Sequence, residues 1–114
     1  MRLEVKKYLF DIQQAAKLVL LFTAGLSFQE YAKNPMARSA VERQLMTLGE
    51  SLNKLSQIDP SVASRVSADY RRIISFRNVL IHDYDSILDE VVWGVVETRL
   101  PPLLQEVETM LRGE

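Results

Sequence analysis

The sequence contains no cysteine, which removes disulfide frameworks, thiolate metal sites and thiol nucleophiles from consideration. Glycine and proline number only four each in 114 residues, too few for a turn-rich β architecture and suited to long helices. No run of apolar residues approaches the roughly 18 needed to cross a bilayer. The longest are Leu18–Phe22 and, counting its glycine, Val91–Val96. Charge of one sign is missing too: 14 Lys and Arg stand against 15 Asp and Glu, a net of −1. That balance excludes a globally basic nucleic-acid coat and an acidic disordered tail. The N-terminal Met1-Arg2-Leu3-Glu4-Val5-Lys6-Lys7 carries an acid and lacks a following small-residue cleavage site, so no signal peptide is readable. A soluble cytoplasmic protein with no membrane partner is expected.

What is present is helical periodicity. With 47% apolar residues, a chain of this length can close one core. Punctuation falls at Gly25, Asn34-Pro35, Asp59-Pro60, the stretch from His82 to Asp85, and Pro101-Pro102. A first helix over about Leu3 to Ala24 places Leu9, Ile12, Ala16 and Val19 on one side, with Gly25 as its terminator. Ser27-Phe28-Gln29-Glu30 reads as a capping box opening a short helix. A second long helix, about Met36 to Leu55, aligns Ala37, Val41, Leu45, Leu48, Leu52 and Leu55 as a core stripe. Beside that stripe runs a second seam of Glu42, Met46, Gly49 and Asn53. Gly49 is either a tolerated glycine or a point of close backbone approach, since a mid-helix glycine costs about 1 kcal/mol against alanine.

After Asp59-Pro60 the pattern gives one helical turn, then a third substantial helix over about Ala68 to Ile81. The last segment opens at Ser86-Ile87-Leu88-Asp89, another capping-box pattern, and runs through Leu100. Pro101-Pro102 kinks or restarts it, and Leu103–Leu111 finishes as helix. No alternating strand pattern or hairpin signal occurs. The expected fold is all-α, an up-and-down bundle of four to five helices, without linker or repeat.

Chemistry shows in one place, Tyr70 to Tyr84. On a helical wheel with Ile73 at zero, Arg77 falls at about 40°, inside the apolar arc of Tyr70, Ile73, Phe76 and Leu80. A guanidinium there must be paired, bound to an anion or held at an interface. Glu42 or Glu50 of the preceding long helix could be its structural partner. His82 is the only histidine and lies about 140° further round from Arg77. The two can converge only if the helix ends near Ile81 and the chain turns back. Converged, they would handle phosphate: arginine through its bidentate fork, histidine by moving protons near neutral pH. The lone histidine excludes His-Glu-x-x-His zinc sites, and Val79 three residues before it excludes a Glu-x-x-His di-iron site. Asp83, Asp85, Asp89 and Glu90 could hold Mg²⁺ weakly, but Asp89 and Glu90 read more simply as first-turn helix charges. Arg65, Arg71, Arg72 and Arg77, with only Asp69 as an acid among them, make a local basic stretch. Arg71 and Arg72 are candidate RNA contacts or an ordinary solvated face.

Arg77-Asn78-Val79-Leu80-Ile81-His82-Asp83-Tyr84 resembles the Arg-x4-His-x-Tyr motif of HepT-like toxins, within the HEPN superfamily of all-helical nucleases. Ala40-Val41-Glu42-Arg43-Gln44-Leu45 and Gly49-Glu50-Ser51 are similar to that family's Ala-Val-Glu-Arg-x-Leu and Gly-Glu-Ala segments, with Ser51 where alanine is usual. Val92-Trp93 and Leu100-Pro101-Pro102-Leu103-Leu104 resemble its closing helix. The resemblance implies one HepT-like domain over residues 1–114 and a metal-independent endoribonuclease needing no cofactor. It implies a homodimer with the motifs of both chains lining one cleft. Arg77 and His82 are then the catalytic pair and Asn78 a supporting polar residue. Tyr84 matches the tyrosine that a partner antitoxin, a minimal nucleotidyltransferase, adenylylates to silence the toxin. The alternative is a non-catalytic helical dimer that binds or regulates a nucleotidyltransferase.

Overall fold

The computed structural model describes residues 1–83, 85 and 87–113, and every long regular element among them is a helix. Helix α1 spans Leu3–Thr23, α2 Phe28–Ala32, α3 Pro35–Ile58, α4 Pro60–Val66 and α5 Tyr70–His82. Helix α6, Asp89–Gly94, passes through a wide π-turn at Val95–Arg99 into α7, Leu100–Leu111. Helices α1, α3 and α5 and the continuous rod from α6 to α7 are therefore the long members of an all-α bundle, with α2 and α4 as short connectors. Among the described residues, no helix is long and apolar enough to cross a membrane.

The local signals act as chemistry requires. Ala24 closes α1 and Gly25 follows at φ 77°, a left-handed conformation that glycine adopts without a Cβ penalty. In the capping box, the Glu30 amide donates to Ser27 Oγ at 3.1 Å and the Ser27 amide to Glu30 Oε1 at 2.9 Å. The Asn34 and Asp59 side chains accept from Ala37 and Val62 amides, so each caps the helix whose first residue is the following proline. Helix α3 reaches three residues further than the apolar stripe predicts, to Ile58, because nothing stops it before that cap.

The start of α6 corrects the sequence reading. The helix begins at Asp89 with Leu88 as N-cap and no side-chain cap bond, not at the Ser86 capping box; Ser86 lies outside the described residues. Asp89 and Glu90 do occupy the first turn, where carboxylates favour the exposed amides. Further on, Val92, Val96 and Leu100 are all buried. Thr98 Oγ1 donates to the Gly94 carbonyl oxygen at 2.6 Å across the π-turn. Pro101 and Pro102 then sit in the first turn of α7, where the fixed φ of proline suits the helix.

Helix α1 packs on α3 and α7, and α3 packs on α5 and α4. Leu9, Ile12 and Val19 of α1, Val41, Leu48, Leu52 and Leu55 of α3, and Val92, Leu100 and Val107 of the last rod are wholly buried. Tyr31 is also fully buried, its ring 5.2 Å from that of Trp93. Only Tyr70 and Leu80 of the thirteen residues of α5 are buried, so the motif sits on a helix with much free surface.

Candidate active site

Arg77 is held from three sides. Its Nη1 donates to the Glu50 carboxylate, and its Nη2 donates to Asn78 Oδ1 at 2.6 Å. Its stem crosses α3 at Gly49, where a Cβ would lie 2.5 Å from Arg77 Cβ and 2.9 Å from Cγ. Gly49 is therefore the close-approach glycine of the two alternatives, and Glu50, not Glu42, is the counter-charge. The Arg77 side chain is only 16% exposed. Its Nε is buried and donates to nothing among the described residues. Glu50 itself is half exposed and also lies 3.7 Å from Lys54 Nζ. A groove of about 360 Å³ opens beside it, between α3 and α5, lined by Arg43, Met46, Thr47 and Ile81. Glu42 stands apart from this pair: burial, then repulsion from Asp89, raises its carboxyl pKa.

His82 is the last residue of α5, not a residue beyond it, with Asp83 as the C-cap donating its amide to the Val79 carbonyl at 2.9 Å. The helical hydrogen bonds persist one residue past Ile81, so the turn that would fold His82 back towards Arg77 does not form. The His82 side chain is exposed and free of hydrogen bonds and ion pairs among the described residues. Arg77 thus faces α3 and His82 faces solvent, about 140° apart on one helix. Within one chain the structure brings Arg77 and Asn78 together and leaves His82 separate. Tyr84 lies outside the described residues.

A family model described as ribonuclease HepT-like matches residues 12–110. The chain belongs to that family. A Methanocaldococcus jannaschii protein named as an RNase is 32% identical, the match covering 92% of this chain and 94% of that one. A Caldanaerobacter subterraneus protein, also named as an RNase, is 27% identical over 96% of each. A Thermococcus cleftensis protein named as ribonuclease HepT is 28% identical, covering 92% of this chain and 94% of its own length. No solved structure gives a significant match.

For this member of the ribonuclease HepT-like family, the basic stretch divides by role. Arg65 pairs with Glu106 at 2.7 Å, tying α4 to α7. Arg71 lies over the Tyr70 ring, 5.2 Å from its centroid. The Arg72 side chain is exposed and makes no hydrogen bond or ion pair among the described residues. Sequence reasoning missed Arg99, which pairs with Asp69 at 2.8 Å and stands next to Arg72 at a pocket mouth. Its only signal was a cation one residue before a buried leucine, which any surface helix shows. Both open alternatives close inside one chain: the Arg77 guanidinium is paired with Glu50, and Gly49 gives its stem room to cross α3.

Proposed function

We propose that this ribonuclease is a metal-independent endoribonuclease, the toxin of a toxin–antitoxin pair, which cuts RNA by attack of the 2′-OH on the adjacent phosphorus. The observation that carries this reading is an arginine pre-set by Gly49, Glu50 and Asn78, five residues before the one exposed histidine. His82 accepts the 2′-OH proton as the oxygen attacks, giving a 2′,3′-cyclic phosphate. The 5′-oxygen leaves with a proton drawn from solvent, and Arg77 of a second copy neutralises the charge gathering on the phosphorane oxygens. RNA brings its own nucleophile, so proton transfer, charge neutralisation and positioning suffice.

The separation of Arg77 and His82 around α5 supports a homodimer. One helix cannot present both to one phosphate, whereas two antiparallel α5 ends set Arg77 of each chain beside His82 of the other. Val79 and Ile81, apolar and exposed to 38% and 42%, supply contact surface at that end. Light scattering is expected to give twice 13.1 kDa at micromolar concentration, and a monomer would sink the composite site. Incubation with RNA in EDTA tests the activity itself: cleavage is expected, and RNA left intact beside a tight nucleotidyltransferase complex would favour the non-catalytic reading. That second reading draws on the Arg77–Glu50 pair, which already occupies the guanidinium.

Control is assigned to Tyr84, two residues past His82. Transfer of AMP from ATP to its hydroxyl, with release of pyrophosphate, adds a phosphodiester of one negative charge two residues along the chain from His82. That charge mimics bound RNA phosphate and repels an incoming backbone. Intact mass after incubation with the cognate nucleotidyltransferase, ATP and Mg²⁺ should show added AMP that disappears in Tyr84→Phe, with RNase activity lost in step. Modification elsewhere, or an adenylylated chain that cuts at full rate, would end the assignment.

A further inference from the structure

Helix α5 carries a second feature on the side away from Arg77. Between α5 and the rod from α6 to α7 lies a pocket of about 200 Å³, walled by Phe76, Val91 and Val95 and rimmed by Asp69, Arg72 and Arg99. A shallower polar groove of about 570 Å³ continues from the same three rim residues. The pocket is apolar inside and charged only at its mouth. One wall is the π-turn, a distortion often kept where a helix lines a binding site. Structural duties account for two rim charges, since Arg99 and Asp69 pair, while the Arg72 side chain makes no hydrogen bond or ion pair among the described residues and feels only the charge of Asp69.

The geometry points to a nucleobase pocket: a base of the RNA strand enters against Phe76, its phosphate rests on Arg72, and Asp69 accepts from an exocyclic amine of the base. The inference rests on the reading of the chain as a ribonuclease and adds a base-recognition subsite to it.

Three observations favour a base over other occupants. Single-stranded RNA is read by splaying bases onto aromatic side chains, and the half-buried Phe76 ring offers such a wall. The rim sets a cation without a hydrogen bond or ion pair among the described residues beside a carboxylate acceptor, the two groups a nucleotide needs; a fatty acid brings no hydrogen-bond donor for Asp69. Asp69 stays ionised, because the Ser67 hydroxyl bond and then Arg99 hold its carboxyl below the usual range. A carboxylate whose oxygens each accept one bond retains lone pairs for a donor on the ligand. The pocket is also in line with the chemistry. Arg72, Ser75, Val79 and His82 follow one another at helical spacing along the exposed side of α5. Arg72 to His82 is therefore about 15 Å along the helix axis, a span that a strand crosses in a few nucleotides.

The test uses the full chain carrying His82→Ala, so that bound RNA is not cut, and fluorescence anisotropy with labelled oligo-A, oligo-C, oligo-G and oligo-U. Amine-bearing bases should bind about 10-fold tighter than oligo-U. Val91→Phe, at a half-exposed wall position that can fill the pocket without disturbing the core, should erase that preference. Arg72→Gln should weaken all four oligomers alike and flatten the salt dependence by about one phosphate contact. A base preference that survives Val91→Phe overturns the pocket. So does a Val91→Phe chain that changes subunit number while its base preference holds, which would make the pocket a protein interface. Cleavage by the unsubstituted chain is the separate readout: RNA cut in EDTA with no base preference sinks the pocket alone, whereas RNA neither bound nor cut sinks the ribonuclease reading with it.

Discussion

His82→Ala is expected to abolish RNA cleavage, by about 10² to 10⁴-fold as for other general acid–base groups, and to leave the melting temperature almost unchanged. The side chain is exposed and contacts nothing that its removal would strand, so the stability cost should be within about 0.5 kcal/mol. Arg77→Ala should abolish cleavage equally but also destabilise the chain, by about 1 to 3 kcal/mol, because it empties the space over Gly49 and leaves Glu50 without its main partner. The contrast between the two melts is the informative part. If both residues are catalytic and sit on separate faces, mixing and refolding the two inactive variants should restore part of the activity, because a mixed dimer holds one intact Arg77–His82 pair across the chains. His82→Ala that cuts at the parent rate would remove the histidine from the mechanism. Mixed variants that stay dead while the parent is a dimer would place both residues of each site in one chain.

Much of the architecture was legible because its signals are local. The Ser27 box, the Asn34 and Asp59 caps and the apolar stripe of α3 each need only a few neighbouring residues to act, and each acts as the pattern predicts. The start of α6 at Asp89 was less legible, because it answers to packing as well as to local capping: Val92, in its first turn, is fully buried. His82 turned on a single residue at a helix end, the least determined position in any periodic reading. The chemistry of the site was legible as residue types and not as an arrangement. That Arg77 needs a counter-charge follows from its place on the wheel, but the choice of Glu50 over Glu42 depends on where α5 crosses α3. The pocket at Asp69, Arg72 and Arg99 draws on residues thirty positions apart and has no linear signature.

That crossing makes Gly49→Ala the most revealing change outside the catalytic pair. In an isolated helix the substitution should stabilise, since alanine gains about 1 kcal/mol over glycine. Here the new methyl would sit 2.5 Å from Arg77 Cβ and 2.9 Å from Cγ. Those are the first atoms of the side chain, fixed by the α5 backbone, so no rotamer change of Arg77 clears the first contact. Helix α5 must move away from α3, and overpacking of this kind costs about 1 to 3 kcal/mol. The net expectation is a loss of about 1 to 2 kcal/mol, read as a melting temperature lower by about 4 °C or more. Activity should fall further than stability, by about 10 to 100-fold, because the displaced helix carries Arg77 off Glu50 and away from the phosphate it must meet. Gly94→Ala is the matched control: that glycine is also helical, yet a Cβ there meets nothing within 4 Å. It should keep full activity and melt at the same temperature or higher. If Gly49→Ala instead melts and cuts like Gly94→Ala, α5 does not press on α3 at Gly49, and the account of how Arg77 is positioned fails with it.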